Sequence, residues 1–110
     1  AQLRSFASHQ LMNHTATADM TAGEIALVNG RVVFSWEAVA NGDDVQLVYK
    51  AADVDMPKAA VAIDAGDTLY WDNTAGNVTT TASGNTKCGM ALEAKVSGDD
   101  VVGLELFNVI

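Results

Sequence analysis

Apolar and polar residues alternate with period two over most of the chain after Thr21, and that period belongs to half-buried strands. Val32, Phe34 and Trp36 share one side of the run Arg31 to Trp36. The two residues before it, Asn29-Gly30, are a hairpin signal joining it to Ile25 to Val28. Val45, Leu47 and Tyr49 alternate with Gln46 and Val48, and Val54 and Met56 alternate up to Pro57. Proline donates no ladder hydrogen bond, so the segment ending there is expected at a sheet edge or in a bulge. Lys58 to Ile63 has the length of a single helical turn and is expected to form one. The clearest stretch, Val61 to Glu93, reads as four short strands joined by three tight turns. In its second strand Leu69 and Trp71 face the core while Thr68 and Tyr70 face away. Val78 to Thr81 is β-branched throughout, and Thr86 to Glu93 follows the turn Ser83-Gly84-Asn85. The last run, Val101 to Phe107, sets Val102, Leu104 and Leu106 on one side.

At Gly23, Gly42, Gly66 and Gly98 a small or polar residue precedes glycine, an acid follows it and a strand comes next. The spacing of these glycines is irregular, which excludes a solenoid or propeller array and leaves one turn used repeatedly. The expected fold is all-β: a small single-domain β-barrel or compressed sandwich of about seven or eight short strands, with an extended N-terminal arm.

That arm is residues 1–20, and the β-domain is residues 21–110. In the arm neither period 2 nor period 3.6 persists, and polar residues separate isolated apolar ones at Leu3, Phe6, Leu11 and Met12. Such a segment is expected to be loose in the free protein and to order against a neighbour, with these four residues as its anchors. The two histidines, His9 and His14, lack acidic partners at a fixed spacing and read as polar arm residues rather than metal ligands.

Composition narrows the chemistry. A chain of 110 residues supports one domain, and its 49% hydrophobic content is poor in aromatics (6%), which suits thin sheets better than a roomy ligand cavity. Fourteen acidic against six basic residues give a net charge of −8, and no basic patch gathers, which argues against direct nucleic-acid binding. The single cysteine, Cys88, forms no intramolecular disulfide and reads as a small buried hydrophobe. No apolar run approaches a membrane span, and no signal peptide is recognisable. The acidic turns Asp43-Asp44, Asp64 with Asp67 and Asp72, and Asp99-Asp100 lack the ligand spacing of a calcium loop, and an acid beside a turn glycine needs only local backbone hydrogen bonds. No nucleophile, phosphate loop or zinc spacing indicates an enzyme or a cofactor.

Pro57-Lys58-Ala59, Ile63-Asp64-Ala65-Gly66-Asp67-Thr68-Leu69-Tyr70-Trp71-Asp72, Val78-Thr79-Thr80-Thr81-Ala82, Gly84-Asn85-Thr86 and Gly89 to Glu93 follow one another in an order that resembles the small cement, or head-decoration, proteins of tailed bacteriophages. The likeness spans roughly residues 30–106; the last residues, Phe107 to Ile110, run past the usual final strand. It implies a structural protein of the virion, made in the host cytoplasm, that sits on the outer surface of the head. It also implies binding to the major capsid protein and to neighbouring copies, as a homotrimer, without catalysis, nucleic acid or membrane. A different reading of the same residues is a small β-domain that binds a glycan or small ligand through Trp36, Tyr49, Tyr70 and Trp71.

Overall fold

A computed structural model describes residues 2–3, 9–28, 30–35 and 37–107. Among the described residues nine strands form one curled antiparallel sheet: β1 (Gln2–Leu3), β2 (His9–Thr15), β3 (Ile25–Val28), β4 (Arg31–Ser35), β5 (Asp44–Pro57), β6 (Thr68–Asp72), β7 (Asn77–Thr79), β8 (Thr86–Ala91) and β9 (Val101–Leu106). The architecture is all-β, as the alternation implies. Two of the strands lie within residues 1–20.

The 14-residue strand β5 organises the sheet. Val48 pairs with both Leu11 and Phe34, and Val54 with both Leu3 and Leu104, so β1 and β2 run along one edge of β5 while β4 and then β9 run along the other. The sequence shows β5 as two runs because its pairing with β9 is irregular between Ala51 and Val54, where the alternation of its side chains breaks. Pro57 therefore closes a central strand, not an edge strand. It is tolerated as the last residue, beyond Asp55, the last β5 residue paired with β1 among the described residues.

Around β5 one arrangement occurs twice. The spatial order β2-β5-β4-β3 and the spatial order β5-β9-β8-β6 are both Greek keys, and β5 is the last strand of the first and the first strand of the second. The hydrogen bonds around the Gly23 and Gly66 turns match. In the first unit the Glu24 amide donates to Thr21 O, Gly23 N to Ser35 O and Ser35 N to Glu24 O; in the second, Asp67 N donates to Asp64 O, Gly66 N to Ala91 O and Ala91 N to Asp67 O. Met20 bridges Val39 in the first unit as Ile63 bridges Lys95 in the second. The carboxylate that ends each turn reaches back to its start, Glu24 Oε1 accepting from Thr21 N (3.3 Å) and Asp67 Oδ2 from Asp64 N (2.8 Å). The glycine between takes φ of +83° at Gly23 and +91° at Gly66, which a side chain would strain. The sequence carries the same repeat: Glu37-Ala38-Val39-Ala40-Asn41-Gly42-Asp43-Asp44-Val45 and Glu93-Ala94-Lys95-Val96-Ser97-Gly98-Asp99-Asp100-Val101 share Glu, Ala, Gly, Asp, Asp and Val in the same places. The glycines are unequally spaced because the second unit holds an insertion, β7 and its turns.

The two units stack. Ile63, Leu69, Trp71, Cys88, Ala91, Val102 and Leu104 line the inner face of the second unit, which closes on Val32, Phe34 and Val48 from the first to make the main core. The other face of the first unit carries a smaller cluster in which Val33, Val45 and Leu47 are covered by Ala16 and Met20. Strand β4 is consequently buried on both faces, which its run Val32-Val33-Phe34 permits.

The expected helical turn at Lys58 to Ile63 is absent. Lys58 instead makes a parallel bridge to Val78, and the Ala59 amide donates to Val78 O, which ties β7 to the end of β5 and curls the sheet toward closure. The physical reason is the Lys58 side chain. It is buried, and its ammonium donates to the carbonyls of Ala59 (2.9 Å), Val96 (2.9 Å) and Asp99 (3.0 Å), which saturates its three donors.

Candidate functional site

Strand β2 pairs only with β5 among the described residues, so its far edge faces outward. The Ala16 amide donates to Asp43 O and the Gly42 amide donates to Ala16 O. By antiparallel alternation the backbone groups of Leu11, Asn13 and Thr15 therefore point away from β5. An outward row of this kind is a template for a further strand.

Leu11 and Met12, two of the four anchors named from the sequence, do not share a face. Leu3 lies in β1 opposite Val54, and Phe6 falls outside the described residues. Leu11 is 40% exposed, whereas its neighbour Met12 points to the opposite side and packs on the smaller cluster. Consecutive residues of a strand must diverge in this way. Of the surface aromatics, Trp71 is in the main core and its indole N–H donates to Asn73 Oδ1 at 3.1 Å, while Tyr49 packs on the smaller cluster and its hydroxyl donates to Gln10 Oε1. Tyr70 is half-buried on the opposite face of β6 from Trp71, and Trp36 falls outside the described residues. A stacking platform built on Trp71 is thereby removed.

Groups with chemical potential are occupied in holding backbone. Asp67 and Asp99 accept from the amides of Asp64 and Val96, Asp72 accepts from Thr74 and Ala75, and Glu93 Oε2 accepts from Gly103. Cys88 is buried, its thiol lies 3.5 Å from Leu69 O, and burial pushes its pKa up to about 12, so it is a poor nucleophile.

Sequence reasoning missed a second surface. On the outer side of the smaller cluster, between β2 and β3, lies a groove of about 320 Å³ whose lining includes His14, Thr17, Ala18, Ala26 and Val28. This is at the small end for ligand clefts, which start at about 300 Å³, and suits one or two side chains rather than a cofactor. Ala26 and Val28 hold the positions that Leu69 and Trp71 hold in the second unit; aligning the two Gly turns would have found it.

A doubled Greek key in which Lys58, Asp67, Asp72, Glu93 and Asp99 hold backbone, with a strand edge open among the described residues and a side-chain-sized groove, is the build of a structural β-domain that works through its surface. The chain belongs to the phage cement protein family, whose pattern matches residues 6–106. No curated protein matches it.

Proposed function

We propose that the protein binds the outer surface of the major capsid protein lattice of a tailed phage head and stabilises that head. The observation that carries this reading is the family match, which runs through both Greek keys from β2 to the end of β9. The reading is structural rather than catalytic, and the way Lys58, Asp67, Asp99 and Cys88 are used to hold backbone supports it. In this account the chain is made in the host cytoplasm and joins the virion from outside. It meets neighbouring copies as a homotrimer, with residues 1–20 as the contacting arm and Leu11 as the anchor that β2 leaves exposed.

The test is to mix the purified chain with expanded heads that lack it and to sediment them. The chain is expected to travel with the heads until the lattice is saturated. A chain that stays in the supernatant at every concentration contradicts the proposal.

A further inference from the structure

We infer that the groove between β2 and β3 is a socket for a large apolar side chain of the capsid protein, a reading that rests on the proposed capsid binding. The argument comes from the repeat. Positions from Met20 to Val28 correspond to Ile63 to Trp71 through the matched hydrogen bonds of the two turns, so Ala26 stands for Leu69 and Val28 for Trp71. In the second unit those two large side chains fill the inner face, and that face is closed by Val32, Phe34 and Val48 of the first unit. In the first unit the same inner face carries the truncated pair, Ala26 and Val28, and a groove of about 320 Å³ stands where the indole and the isobutyl group would be. The fold thus fills this face in one unit and leaves it for an outside group in the other.

A second copy is a poor occupant. To continue the stacking, its second unit would have to present a convex face like the one the first unit presents. Where the first unit has Ile25, Phe34 and Val48 on that face, the second has Thr68, Met90 and Glu105. Glu24 on the groove wall favours an occupant that carries a lysine or arginine beside its apolar side chain.

The experiment fills the socket from within. Ala26→Leu with Val28→Trp installs the residues that the second unit already accommodates, and Ala18→Arg, at an exposed wall position, obstructs the groove without touching the cluster. Each variant is checked for a cooperative melt and then sedimented with heads lacking the protein, beside the parent chain, and all are sized by light scattering. The parent is expected to bind and both variants to lose at least about tenfold in affinity with oligomeric state unchanged. Heads that bind the variants as tightly as the parent overturn the socket and leave capsid binding standing. A parent that fails to bind overturns the capsid reading itself. Variants that bind heads like the parent but break up an oligomer the parent forms would give the groove to a second copy and equally overturn the proposal.

Discussion

A Cβ added at Gly89 would overlap the Glu105 carbonyl oxygen and crowd the Leu104 side chain, because the β9 backbone lies against β8 there. The obstacle is ladder backbone, which cannot swing aside, so Gly89→Ala is expected to cost about 3 kcal/mol or more, read as a shift in the urea midpoint. A midpoint equal to the parent's would show that the two strands are not in this register. Beside it, the Cys88 thiol has its pKa raised from 9.0 to about 12 by burial. Below about pH 9 the thiol is protonated whether the chain is folded or not. Between about pH 9 and 12 only the unfolded chain releases the proton, so stability falls with rising pH by up to ~1.4 kcal/mol per unit. Cys88→Ala should lack that part of the slope, the lysines and tyrosines being common to both chains. Equal slopes in parent and variant would contradict the burial. Residue-scale parity was legible where a strand has one wet face: Leu69 and Trp71 in, Tyr70 out. It was not legible in residues 9–15, because β2 sits at an edge, and polar residues on an edge blur the alternation that identifies a strand. Once β2 is known to be a strand, the separation of Leu11 from Met12 follows.

Among the elements, the segment after β5 shows what pattern alone withholds. Nothing in the spacing of Pro57-Lys58-Ala59 says that a lysine will be buried, yet its ammonium joins the end of β5 to the turn at Val96 to Asp99. A buried cation that donates to three carbonyls is a tertiary solution, invisible to local propensity. Lys58→Met keeps the stem but strands those carbonyls, and the expected loss is about 2–4 kcal/mol in thermal or urea unfolding. An unchanged melt would mean that water replaces the ammonium at no cost. The N-terminal segment makes the second prediction at this scale. Ala16 and Met20 cover Val45 and Leu47, and β2 pairs with β5 from Thr15 to His9. Deleting residues 1–20 should therefore lower the melting temperature of the remaining chain by the equivalent of about 2 kcal/mol or more, since burying a methionine side chain alone is worth about 1.5–3 kcal/mol. A truncated chain that melts like the parent would show that this segment packs independently of the rest. The duplication was present in the letters from Glu37 to Val45 and from Glu93 to Val101, but equal spacing is the usual signature of a repeat, and the β7 insertion removes it.

For the molecule as a whole, the two Greek keys divide the work unequally. The second encloses the main core, and the first lends one face to it and turns the other outward with a smaller cluster, an open edge at β2 and the groove. The all-β class and the core strands were legible because a two-faced sheet writes its inside and outside into alternate residues. The surface that meets a partner was not, since neither an edge nor a groove has a periodic signature. The net charge of −8 adds one expectation: if the capsid face is basic, attachment to heads should weaken steeply with salt. Stabilisation of the head is the central claim, and the temperature at which heads release their DNA tests it most directly. Heads lacking the protein, heads with the parent chain added back to saturation and heads carrying the Ala26→Leu/Val28→Trp chain at the same concentration are heated in parallel. The account predicts that the parent raises the release temperature and that the variant, weakly bound, leaves it near that of bare heads. A parent chain that coats the heads to saturation and leaves the release temperature where it was would contradict the claim.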